Sequence, residues 1–207
     1  MQLVRSTGMP KIAIVLTDGY SDWECAFLNG IGSGYYGIET LNVAPAGSQI
    51  ISQGGLKTTP DASLDSVKSK AFDVLVICGS TVWQTSDAPD LKQLSLDFLN
   101  RGKHVAAICG GTLALANAGV LNDKRHTSHA LSFLSANSKS YRGRSHYVDE
   151  VTAVEDQNVI TAPGNAPAHF SALVFRAVGI DEKTISEFLE MVSAEHSQRL
   201  SLSQLDL

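Results

Sequence analysis

The segment 72–78, FDVLVIC, most narrows what this chain can fold into. Val74, Leu75, Val76, Ile77 and Cys78 follow one another with no polar alternation. The run is too short for a stable helix and rich in β-branched residues, so it reads as a strand covered on both faces. Such strands occur in parallel sheets sandwiched between helices. Residues 11–16 (KIAIVL), 39–45 and 104–108 (HVAAI) repeat the signal. Helical patterns separate them. Residues 21–31 place Trp23, Ala26, Phe27, Gly30 and Ile31 at helical spacing, and 90–100 place Leu91, Leu94, Phe98 and Leu99 on one face. Residues 112–118 are rich in Ala and Leu, with Gly119 as the stop, and 168–178 follow a Pro163-Gly164-Asn165 turn. A last helix starts at Asp181, an N-cap with an Ile180–Ile185 staple, and carries the stripe Ile185, Phe188, Leu189 and Val192. Residues 46–62 read as a hairpin-like excursion. Beyond a polar middle section, 148–161 read as β-structure turning at Asp156-Gln157-Asn158.

This alternation predicts an α/β fold: one domain over 1–207 with a mostly parallel sheet, helices on both faces and a frayed tail from 197. A hydrophobic fraction of 43% lets 207 residues bury a core. Sixteen Lys and Arg against twenty-one Asp and Glu give a net charge of -5, which argues against a nucleic-acid partner. No apolar run reaches the ~18 residues of a membrane span. The first ten residues carry no apolar stretch of the secretory type, so the expected compartment is the cytoplasm.

In such sheets ligands sit at the carboxyl ends of strands. Three loops qualify: Thr17-Asp18-Gly19, Gly79-Ser80-Thr81 and Cys109-Gly110-Gly111. The third places a reactive side chain between a strand and a helix, flanked by small residues, the pattern of a nucleophile elbow. The following helix start is expected to lower the Cys109 thiol pKa. The N–H groups of Gly79 or Ser80 and of Gly110 are expected to hold a developing oxyanion. Cys25, in a helix, and Cys78, in a strand, read as structural thiols. Ser21-x-x-Glu24 reads either as a capping box or as a carboxyl on the core-facing side of its helix, where burial raises its pKa.

The order of these segments resembles the ThiJ/PfpI superfamily, the class I glutamine amidotransferase-like proteins that include the parkinsonism-associated deglycase and its bacterial relatives. The resemblance rests on Asp22-Trp23-Glu24, on the strand ending at Cys78-Gly79, and on Ala107-Ile108-Cys109-Gly110-Gly111. Thr127-Ser128-His129-Ala130-Leu131 and Thr161-Ala162-Pro163-Gly164-Asn165 complete it. It implies a flavodoxin-like three-layer sandwich and a homodimer. It also implies Cys109 as nucleophile, Glu24 as acidic partner and His129 as pocket histidine, with His126 on the surface. Trp83 reads as a pocket wall or as core, and His169 as a helix-start or surface residue. His126-x-x-His129 lacks companion ligands, so neither a metal nor a cofactor is expected. Gly110 stands where protease-like members carry His, and Glu24 stands where isocyanide-hydratase-like members carry Asp. Both of those activities are therefore disfavoured, and no late His-x-Glu supports a glutaminase. The expected function is a cysteine-dependent enzyme acting on a small electrophile, of amidase or glyoxalase/deglycase type. The alternative is a redox sensor that oxidises at Cys109.

Overall fold

A computed structural model describes residues 8–197. Its strands are β1 (Lys11–Val15), β2 (Glu39–Ala44), β3 (Ile50–Ile51), β4 (Lys57–Thr58), β5 (Ala62–Ser63), β6 (Val74–Ile77), β7 (His104–Ile108), β8 (Val154–Asp156) and β9 (Val159–Ala162). Its α-helices are α1 (Asp22–Phe27), α2 (Lys92–Asn100), α3 (Thr112–Asn117), α4 (Leu131–Asn137), α5 (Pro167–Ala177) and α6 (Glu182–Ser197). Seven strands form one sheet in the order β5-β2-β1-β6-β7-β9-β8. Every pairing is parallel except the β8–β9 edge. This is the mostly parallel sheet expected from the strand–helix alternation, in the flavodoxin-like arrangement that the resemblance implied.

Successive strand residues feed opposite layers. Ile12, Ile14, Val74, Val76, Ala106 and Ile108 pack into one core with α5 and α6, beside Phe170, Phe175 and Phe188. Ala13, Val15, Leu75, Ile77, Val105 and Ala107 pack into the other with α2, α3 and α4, beside Phe98, Leu113 and Leu134. Burial on both faces explains why these strands carry unbroken apolar runs.

Several boundaries differ from the sequence reading. The helix expected over 21–31 is α-helical only to Phe27 and continues as wider π-type turns over Leu28–Ser33. A Cβ on Gly32 would stand 2.9 Å from the Phe175 ring, so glycine lets α5 approach there. Residues 46–62 divide. The β3–β4 hairpin pairs Ile50 with Thr58, whereas β5 joins the main sheet beside β2. Residues 148–153 are not strand, and β-structure begins at Val154. The β8–β9 connection has positive φ at Gln157 (48°) and Asn158 (64°), the backbone of a tight two-residue hairpin. Helix α4 lies inside the section read only as polar. Asp181 caps α6 as expected, accepting the Thr184 N–H at 3.0 Å. Apart from Ser197, the expected frayed tail lies outside the described residues.

Candidate active site

Strands β1, β6, β7 and β9 are neighbours in the sheet, so their carboxyl ends deliver four loops to one place. The first two loops are tied by a 2.5 Å hydrogen bond between the Thr17 and Ser80 hydroxyls. The third holds Cys109. Its φ of 52° is left-handed, a conformation that costs a non-glycine residue about 1–3 kcal/mol. A single 3₁₀ turn, Cys109–Gly111, leads into α3. The flanking glycines answer the close approach of the β6 loop. A Cβ on Gly110 would stand 2.9 Å from the Ser80 carbonyl oxygen, and one on Gly111 2.5 Å from that of Ile77. The elbow expected from the sequence is therefore formed. Thr112 Oγ1 secures it by donating to the Cys109 carbonyl at 2.6 Å.

Glu24 comes from the first turn of α1 and is only 1% exposed. Its Oε2 accepts the Gly79 N–H at 2.7 Å and the Cys78 thiol at 3.6 Å. Its Oε1 is buried with no hydrogen-bond partner. The capping box is not formed: the Ser21 N–H donates to the Gly79 carbonyl at 2.9 Å, and the Ser21 side chain does not cap α1. A Cβ on Gly164 would lie 2.7 Å from Cys109 Sγ and 3.3 Å from Glu24 Oε1, so sulfur and carboxyl oxygen flank the same glycine. Gly79 is equally constrained, since its Cβ would stand 2.6 Å from Glu24 Oε2.

Burial pushes the Glu24 carboxyl above its ordinary range, as expected. The expected lowering of the Cys109 thiol is reversed. Burial and the charge on Glu24 push it up to about 12, opposed by the Gly110 N–H. A thiolate therefore forms here when Glu24 holds the proton. Of the expected oxyanion donors, the Gly79 N–H is engaged by Glu24, while the Gly110 N–H lies beside the sulfur and nothing engages the Ser80 N–H among the described residues.

The cleft has two arms that meet at Cys109 and His129. One, of about 630 Å³, is walled by Trp23, Pro163, Gly164 and Pro167. The other, of about 280 Å³, carries Ser80, Gln53 and Gln84. Trp23, not Trp83, is the aromatic wall; its Nε1–H donates to the Gly164 carbonyl at 3.0 Å. Trp83 is 2% exposed in the α2–α3 core and donates to the Cys78 carbonyl at 2.8 Å. The histidine pair also divides differently from expectation. His126 is fully buried, donating from Nδ1 to the Lys124 carbonyl at 2.7 Å and accepting the Tyr141 hydroxyl at Nε2 at 2.8 Å. Burial lowers its pKa. His129 is exposed at the cleft rim, its ring edge-on to Phe133. His169 is exposed and lines a separate groove against α6. Among the described residues, no cluster of three His, Cys, Asp or Glu side chains could hold a metal.

The sequence pattern gave little sign of Gly164 as a contact of the sulfur or of Cys78 as a contact of Glu24. Only the Pro163-Gly164-Asn165 motif pointed toward the first. A strand buried on both faces gave no sign of the second.

The profile of the DJ-1/PfpI family matches residues 10–177. The chain belongs to that family. It is 33% identical over 178 residues to a Bacillus subtilis protein named as an uncharacterized protease, covering 82% of this chain and 84% of that one. It is 26% identical over 152 residues to a glutathione-independent glyoxalase of Caenorhabditis elegans, covering 72% and 78%. A solved DJ-1 superfamily structure from Agrobacterium tumefaciens superposes with a TM-score of 0.86 at 39% identity, covering 91% of this chain and all of that one. DJ-1/PfpI relatives thus bear both protease and glyoxalase names. No helix among the described residues is long and apolar enough to cross a membrane.

Proposed function

We propose that this DJ-1/PfpI protein is a cysteine-dependent enzyme acting on a small electrophilic carbonyl, of the glyoxalase or deglycase type. One observation carries the reading: a sulfur on a left-handed elbow opens to a cleft, with a buried, unpartnered carboxyl oxygen on its inner side. For a 2-oxoaldehyde, the Cys109 proton passes to Glu24 as Sγ attacks the aldehyde carbon. The S–C bond forms, the C=O π pair moves to oxygen, and Glu24 returns the proton to that oxygen. Glu24, again a carboxylate, then takes the carbinol C–H proton and delivers it to the neighbouring carbon, while the carbinol O–H proton passes to the oxygen on that carbon. This converts the hemithioacetal into a 2-hydroxy thioester. Water cleaves the thioester, releasing a 2-hydroxy acid and the thiol. The Gly110 N–H supports the developing charge.

Peptide cleavage is less well supported. Gly110 follows the cysteine, and no ring nitrogen of His129 is hydrogen-bonded among the described residues, so no oriented Cys–His relay is assembled. The proposal extends to a homodimer acting in the cytoplasm, with small molecules rather than nucleic acid or membrane as partners. Consumption of 2-oxoaldehydes by wild type, Cys109→Ala and Glu24→Gln tests the reading. Loss in both variants is expected, and equal rates in all three would refute it. The unpartnered Oε1 also favours a second reading, in which peroxide adds two oxygens to Cys109 and a protonated Glu24 donates to the sulfinate. Intact mass after mild peroxide tests it: a 32 Da gain (roughly two oxygen atoms) confined to Cys109 supports it, and oxidation shared with Cys25 and Cys78 contradicts it.

A further inference from the structure

We propose that Cys78 is a positioning residue for Glu24: its thiol keeps Oε2 as the unprotonated oxygen and leaves Oε1 to carry the proton that faces Cys109. The inference rests on the pairing of Glu24 with Cys109 proposed above, and it adds a residue from the strand behind them. Cys78 is 1% exposed, so it meets substrate and solvent only through its neighbours. Its sulfur lies 3.6 Å from Glu24 Oε2 and 3.5 Å from the Ser21 carbonyl oxygen. Oε2 already accepts the Gly79 N–H at 2.7 Å. With the thiol added, both acceptor positions of that oxygen are used, and a proton placed there would have to displace a donor. Oε1 is buried with no donor at all. As a bare anionic oxygen it would carry the full penalty of desolvation; protonated, it has a hydrogen to give to Cys109.

The single Cys78 proton has two acceptors at nearly equal distance. It bonds Oε2 in both charge states of Glu24, and more strongly when the carboxyl is ionised. Cys78 therefore stabilises one charge state of Glu24 over the other. The titratable groups around Glu24 are Asp22 and Cys25 on its own helix, Tyr20 ahead of it, Cys78 after β6, Cys109 at the elbow and His129 at the rim. Cys25 and Cys78 are themselves in hydrogen-bond contact. Among the described residues, no Lys or Arg lines either arm of the cleft. Control of the shared proton thus falls to uncharged donors, and among the described residues Cys78 is the side chain that donates to Oε2.

The test is the pH profile of Cys109 alkylation by iodoacetamide, read by peptide mass spectrometry, in wild type, Cys78→Ala, Cys78→Ser and Glu24→Gln. At low pH the rate depends on the proton affinity of the sulfur alone. On the plateau it depends on how often a singly ionised pair carries its charge on sulfur. Removing the donor to Oε2 weakens the carboxylate. Cys78→Ala should therefore raise the plateau rate roughly three- to tenfold for one hydrogen bond, move the midpoint to higher pH by the logarithm of that factor, and leave the low-pH limb unchanged. Cys78→Ser, which restores a donor, should return both to within about twofold of wild type. Cys78→Ala in Glu24→Gln should add nothing. A wild-type profile in Cys78→Ala, or a shift of equal size at every pH in both Cys78 variants, overturns the proposal. If Glu24→Gln itself leaves the profile unchanged, the Glu24–Cys109 pairing fails and the role of Cys78 falls with it. If Glu24→Gln alters the profile and Cys78→Ala does not, only the role of Cys78 is lost.

Discussion

Gly164→Ala probes the geometry of the site with one carbon atom. The added Cβ would stand 2.7 Å from Cys109 Sγ and 3.0 Å from Cys109 Cβ. Ordinary contacts between such atoms are ~3.5–4.0 Å, so the sulfur must retreat by ~1 Å. The inner side is closed: Gly79 and Glu24 already crowd it, with Oε1 only 3.3 Å from the same new carbon. The retreat therefore turns Sγ outward, away from Oε1. A displacement of that size costs about 100-fold in rate when geometry is critical. Overpacking costs ~1–3 kcal/mol of stability. At ~2–4 °C per kcal/mol for a chain of this size, the melting temperature falls by several degrees. The assays are 2-oxoaldehyde consumption and a thermal melt, with Gly34→Ala as reference. Gly34 has φ of -74° and no atom within 4 Å of its would-be Cβ, so that variant should melt no lower than wild type. Wild-type rate and melting temperature in Gly164→Ala would refute the placement of sulfur against that loop.

Other outcomes follow from the same structure. Cys109→Gly removes the only side chain that strains the elbow, so it should abolish activity while raising stability by about 1 kcal/mol, measured by denaturant unfolding. Glu24→Gln should alter the pH dependence of stability. Burial raises the Glu24 carboxyl above its usual 4.5, so its contribution is complete below that value and is lost as pH rises through the folded pKa. The variant lacks that loss, and its stability relative to wild type should climb from acid to neutral pH; a constant difference would contradict the buried carboxyl. His126→Ala removes a buried ring with two hydrogen bonds and should cost about 3 kcal/mol in thermal or denaturant melts, whereas His129→Ala, at the rim, should stay within about 0.5 kcal/mol.

The sheet was legible because its strands are buried on both faces. FDVLVIC and HVAAI announce themselves by continuous apolar runs, and each became a central parallel strand. The same property hid the details of the site. When every side of a strand is apolar, periodicity does not say which residue faces a neighbour, so Cys78 read as packing although its sulfur touches Glu24. Helix α4 was missed because LSFLSAN spans only about two turns, too short to establish a helical period, and only Leu134 is fully buried. The elbow was readable from Cys109-Gly110-Gly111, since two glycines directly after a thiol at a strand end permit the sharp turn and close backbone approach that larger residues would block. The hydrogen bonds of that elbow were not. Gly79 looked free to hold an oxyanion because the sequence does not show that Glu24, 55 positions earlier, claims its N–H. Trp83 read as a pocket wall or as core for a similar reason: it follows a site loop closely, and only the packing shows that it turns into the core.

The central claim is that one sulfur of three is open to the cleft while the others are sealed behind Glu24. Limiting iodoacetamide on the folded protein, followed by peptide mapping, measures this directly. Cys109 is partly exposed, whereas Cys25 and Cys78 are 4% and 1% exposed. The expected result is a single label on Cys109, with Cys25 and Cys78 modified only after unfolding. Prior labelling of Cys25 or Cys78, or a Cys109 that resists alkylation until the protein unfolds, would contradict the account.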